Sequence, residues 1–104
     1  MFGGQNMKQI MKQAQKMQQK IQEEQKKLET ETIDAQAGGG MVKVVVNGKK
    51  EILSLVIDKE VVNPDDTEML QDMIIAAVNE AMKKMDELSS QRLEDIAGPF
   101  AGML

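Results

Sequence analysis

Lys8, Lys12, Lys16 and Lys20 stand four residues apart, in a segment with neither glycine nor proline between Met7 and Leu28. On a helix, each ammonium group then rises about 6 Å above the last and turns by about 40°. Together with Lys26 and Lys27 they occupy an arc of about 120° on the helix surface. Glu23 is the one acid inside that arc and Glu24 lies at its edge; the other exposed positions are mostly glutamine, which hydrogen-bonds without adding negative charge. The bland reading of a lysine-bearing face is solvation, but a merely solvated face normally mixes signs. A winding row of cations with no acid before residue 23 suits a polyanion whose charges repeat along a backbone.

Other chemistry is poorly supplied. The 104 residues include no histidine, cysteine, tryptophan or tyrosine, which removes the usual general base, the thiol nucleophile, thiolate and imidazole metal ligands and most stacking platforms. We therefore expect no enzymatic activity and no cofactor. Of the ten methionines, all but the terminal ones lie on or beside apolar stripes, where methionine is a flexible core filler rather than a ligand for cuprous ion. Gly38-Gly39-Gly40 precedes a strand and lacks the Lys-Ser/Thr of a phosphate loop, so it reads as a turn. No apolar run reaches the length of a membrane span, the start MFGGQNMK lacks the apolar core of a secretory signal, and the absence of cysteine fits a reducing compartment. A cytoplasmic protein with no membrane or small-molecule partner is expected.

The formal charge is −4, but residues 1–28 carry six lysines against two glutamates, +4, leaving −8 for the remainder. A basic arm is joined to an acidic body.

Three kinds of element must position these charges. Residues 1–6 offer nothing to bury and are expected to be unstructured. Over residues 7–28, Met7, Ile10, Ala14, Met17, Ile21 and Leu28 recur at heptad a and d spacing, with Glu24 interrupting one d position; this predicts an amphipathic helical arm whose apolar stripe lies opposite the lysines. Residues 30–58 read as a three-stranded antiparallel meander: a weak first strand with Ile33, Ala35 and Ala37 alternating, then Val42 to Val46 and Ile52 to Ile57 around an Asn47-Gly48 turn that supplies positive φ. A two- or four-residue loop puts Val42, Val44, Val46, Leu53, Leu55 and Ile57 on one face, the core, and mixes Met41, Val45, Ile52 and Val56 with polar residues on the other.

A helix or helix pair is predicted over 65–97, capped by Asp65 with Glu68, either continuing through or restarting at Ser89 or Ser90 and stopped by Gly98-Pro99, with residues 98–104 as a tail. From Met73 to Val78 it is apolar around more than half its circumference, more than one small sheet can cover. The excess predicts a dimer interface through Met73, Ile74, Ala77, Val78 and Ala81, together with the mixed face of the sheet. One α+β domain is the expected architecture.

The order of these elements resembles the YbaB/EbfC family of small bacterial nucleoid-associated proteins. The resemblance is carried by Gly38 to Gly40, Val42-Lys43-Val44, Val46-Asn47-Gly48, Ile57-Asp58, Leu70-x-Asp72, Ala77-Val78-Asn79-Glu80-Ala81 with Lys84, and Gly98-Pro99 to Gly102. It spans nearly the whole chain in order. It implies a tweezer-like homodimer with projecting helical arms that binds double-stranded DNA in the nucleoid. Carried onto this sequence, the DNA-binding surface is the lysine-bearing first helix together with Lys83, Lys84 and Arg92. Two departures are the strongly acidic body and a tail with a single proline. With one arginine and two phenylalanines in the chain, sequence specificity is expected to be low. A different class of function, a coiled-coil-like adaptor for an acidic protein or a partner helix, would use the same first helix without nucleic acid.

Overall fold

The computed structural model describes residues 4–101, and the side chains of 6–99. Helix α1 (Gly4–Thr30) leads into strands β1 (Thr32–Ala37), β2 (Val42–Asn47) and β3 (Ile52–Ile57); a single 3-10 turn at Lys59–Val61 then precedes helix α2 (Thr67–Ala101). The strands form one antiparallel sheet in the order β1-β2-β3. This is the expected α+β meander between two helices. The molecule is long and thin, 76 × 20 × 16 Å.

α2 runs lengthwise over β1 and β2. Its Ala77 and Ala81 are fully buried against Val42, Val44, Val46 and Ala35, because small side chains let helix and sheet backbones approach; Met85 and Leu28 close the same cluster. The Gly38–Gly40 turn meets α2 at Met73, whose sulfur sits where a side chain on Gly38 would be, and all three glycines have positive φ. Methionine is here a core residue, as its spacing predicts.

Several expected boundaries move. α1 begins at Gly4 rather than Met7, since the cost of one terminal glycine, about 1 kcal/mol, is small once a helix is propagating; residues 1–3 of the segment expected to be loose lie outside the described residues. α2 is capped by Asp66, whose Oδ1 accepts from Met69 N at 3.3 Å, not by Asp65. It passes Ser89 and Ser90 unbroken, because Leu88 and Ser89 are half-buried on its inner side and tertiary contact outweighs the weak propensity of serine. Nor do Gly98 and Pro99 stop it. Proline removes one backbone donor near the helix end, where little depends on it, and the helix runs to Ala101.

The hairpin differs in its turn. Asn47 and Gly48 do not take positive φ; Lys50 does, at 62°. Lys50 N donates to Asn47 O at 2.9 Å and Asn47 N to Glu51 O at 3.1 Å, a three-residue loop with its left-handed residue last. The Asn47 side chain holds it: Oδ1 accepts from Lys49 N and Glu51 N, and Nδ2 donates to Glu51 Oε1, each at 3.0 Å. An odd loop changes the parity of the pairing, and a bulge opposite Val45 and Val46 restores it. Leu55 and Ile57 therefore oppose Val44 and Val42 on the expected face, but Ile52, not Leu53, stands opposite Val46.

Gly48 serves another purpose. A Cβ built there would overlap the Leu28 carbonyl and lie 2.9 Å from Glu29 N, so the turn touches the backbone of α1 where it leaves the sheet. Gly48→Ala is expected to destabilise the fold by about 1–3 kcal/mol through overpacking, read as a lower thermal midpoint. An unchanged midpoint would show that the turn and α1 do not meet.

Coverage of the core face is incomplete. α2 spans β1 and β2 only, so β3 is left bare on that face, with Leu55 43% and Ile52 50% exposed. The expectation that Leu53 and Leu55 are core fails because hairpin parity assigns a face, not the width of the helix lying on it.

Candidate nucleic-acid interface

α1 and α2 run antiparallel beyond the sheet, with Leu28 and Ile96 buried on the α1–α2 side. Arg92 of α2 is seated between them: Nη1 donates to Glu24 Oε2 at 3.1 Å, and Nη2 to both carboxylate oxygens of Glu31 at 2.6 and 2.8 Å. Lys27 approaches Glu24 Oε1 at 3.4 Å. Side-chain hydrogen bonds that Arg92 donates to Glu31 and then to Glu24 hold its pKa above its ordinary value against desolvation. At Glu24, desolvation pushes the carboxyl upward, and the bonds and charges of Arg92 and Lys27 together outweigh it, leaving the pKa lowered from 4.5.

One residue expected at the DNA surface is thus held within the chain. Arg92 is an arm clamp, its donors turned onto two acids of its own chain. Glu24, which breaks the heptad stripe, is the sequence signal for that clamp. Because the Glu24 pKa is lowered in the fold, the clamp's contribution is complete above the ordinary carboxylate range and is lost as pH falls through the folded value. Arg92→Gln is expected to loosen α1 at neutral pH, read as faster amide exchange over residues 20–30, and to remove the further loosening that acid causes in the unaltered chain.

The lysines expected at the DNA surface fall into three groups. Around the clamp, Lys20 and Lys27 share a groove with Glu23, Glu24, Glu31 and Asp95, a mixed-sign surface. Lys26 is exposed nearby. Toward the start of α1, Lys8, Lys12 and Lys16 are exposed and form no ion pair among the described residues. On α2, Lys83 is exposed beside Asp86, Glu87 and Glu94, and Lys84 reaches the Asp34 carbonyl at 3.5 Å. Acids so close reduce the potential at Lys83 and Lys84. The strongest unopposed positive surface is the outer half of α1.

That half is also a projection. Lys20 lies level with Pro99, near the end of α2, so the first four helical turns of α1 extend about 20 Å past it at 1.5 Å per residue. Of the expected interface residues on α2, Ala77 and Ala81 are wholly buried against the chain's own sheet and offer no surface to a second copy. Met73, Ile74 and Val78 are half-buried at the margin of the same cluster.

Comparison with known proteins places this geometry. The pattern of the YbaB/EbfC DNA-binding family matches residues 3–100. A nucleoid-associated protein of Staphylococcus carnosus is 63% identical over 93 residues, covering 89% of each chain. One from Ruminiclostridium cellulolyticum is 51% identical over 102 residues, covering 98% of this chain and 88% of its own. Among solved structures, an uncharacterized protein from Helicobacter pylori superimposes with a TM-score of 0.64 at 27% identity, over 75% of this chain and 90% of that one.

Proposed function

The chain belongs to the YbaB/EbfC DNA-binding family, and from that premise we propose that it binds double-stranded DNA in the nucleoid as a homodimer, without catalysis, through the lysine row of α1. The observation that carries the reading is the placement of Lys8, Lys12 and Lys16 on a projecting helix, clear of the acidic body. Ammonium groups on such a row displace the counterions condensed on a phosphate backbone, and their release drives association. Lys20 continues the row, and Lys26 and Lys27 extend it toward the sheet. Lys83 and Lys84, beside acids or backbone oxygen, add little. No arginine is left to grip a guanine edge, so binding is insensitive to sequence apart from DNA shape.

The dimer supplies the second arm. Leu55 and Ile57 of β3, with Ile74 and Val78 of α2, border the part of the helix-side face that α2 leaves bare, and this apolar shelf is the proposed seat of the second copy. The arm constrains the symmetry. Along α2, Met73 meets Gly38, Lys84 meets Asp34 and Arg92 meets Glu31, so the strands lie along the molecule and α1 leaves at the β2–β3 turn. Antiparallel edge pairing of two β3 strands would send the arms to opposite ends. A two-fold axis parallel to the long dimension stacks the two shelves and keeps both arms at one end, as tweezers require.

The test is a salt titration of binding to random duplex, followed by fluorescence anisotropy. With about six to eight phosphates neutralised, log K against log salt should fall with a slope of about −5 to −7. Absence of binding at low salt, with a protein co-purifying, would favour the adaptor reading.

A further inference from the structure

The lysine row uses one side of the arm and leaves the other unexplained. Met7, Ile10 and Met11 are 59%, 54% and 60% exposed, and Ala14 is also exposed, whereas Met17 and Ile21 on the same stripe are half-buried near the end of α2. The stripe is thus a continuation of the α1–α2 seam that no helix of the described residues covers. Its heptad spacing, with Met7 and Ala14 at a and Ile10 and Met17 at d, is that of a helix that packs on another helix.

We propose that the occupant is the same stretch of α1 from a second dimer, running antiparallel, so that dimers join arm to arm while their lysine rows stay outward. The flanks of the stripe identify the partner. Over the exposed stretch from Met7 to Met17, positions e and g hold Met11 and Gln13 and the lysines fall at the outer positions 8, 12 and 16; Lys20, the next g position, lies beyond that stretch beside the end of α2. An acidic partner helix would find no basic flank to pair with, whereas identical glutamine flanks approach without repulsion. Direction follows from side-chain volume. An antiparallel pair centred on Lys12 sets Met7 against Met17 and Ile10 against Ala14, each a position facing a d position and the large Ile10 facing the small Ala14. A parallel pair would set Ala14 against Ala14 and leave a void. The two arms of one dimer point the same way, so antiparallel pairing is contact between dimers, a placement that rests on the dimer proposed above.

The chain has no cysteine, which makes disulfide trapping direct. Ile10→Cys and Ala14→Cys chains are mixed at high micromolar concentration without DNA and oxidised. The mixed disulfide should form in several-fold excess over either homodisulfide, and Ser90→Cys, on the outer face of α2, mixed with Ile10→Cys should give no such excess. Linked Ile10–Ile10 chains as the main product would mean parallel arms and overturn the proposal, as would no product above the Ser90 control. Sedimentation of the trapped species separates this reading from the dimer. Four or more chains per particle support both; two chains mean that the arms pair but the β3 dimer does not exist.

Discussion

Replacing Lys8, Lys12, Lys16 and Lys20 together by glutamine is expected to abolish duplex binding at physiological salt while leaving the fold intact. All four residues are exposed on α1, and glutamine has nearly the same helix propensity as lysine. The apolar stripe is untouched, so the thermal midpoint should move little. If each arm neutralises about four phosphates, a dimer loses about eight ion-pair contacts, and a salt slope near −7 collapses toward zero. The loss should be alike for duplexes of different sequence, because phosphate contacts position a protein without reading bases. Replacing Lys83 and Lys84 instead should change the slope by less than about one unit per arm. Should the quadruple variant bind with the parent's affinity and slope, α1 is not the DNA surface and the adaptor reading gains.

What the sequence made legible follows from short-range regularities. The lysine row, the heptad stripe and the alternation in β1 and β2 depend on spacing alone, and the structure buries the inner end of the stripe at Leu28 and carries Ala35 into the core. Arg92 was not legible because its role is set by Glu24 and Glu31, 68 and 61 residues away; nothing local to Arg92 distinguishes a clamp from a DNA contact. The turn misled for a different reason. Asn-Gly normally marks positive φ, but here Asn47 is held by its own side-chain bonds and Gly48 is needed for closeness to α1, which leaves the left-handed residue to Lys50. Of the apolar surface expected on α2 to meet a second copy, Ala77 and Ala81 bury theirs within the chain while Ile75 stays 57% exposed, and much of the bare surface is displaced to β3.

That displacement separates two substitutions that the sequence alone would treat alike. Ala77→Asp is expected to prevent folding, since Ala77 is fully buried against the sheet and an unpaired charge there cannot be solvated. Leu55→Asp puts the same charge on a side chain already 43% exposed within one chain, so the fold should survive. Its effect falls on association: two carboxylates meeting across a stacked shelf repel and lose water, and the dimer should dissociate into folded monomers at micromolar concentration. With one arm per particle the second contact with the duplex is lost, which lowers affinity by about 10²–10⁴, and the salt slope should halve to about −3.5. Sedimentation and circular dichroism on the same samples decide the matter. A Leu55→Asp chain that still sediments as a dimer would move the interface away from β3, and a folded monomer for the unaltered chain at that concentration would remove the dimer itself.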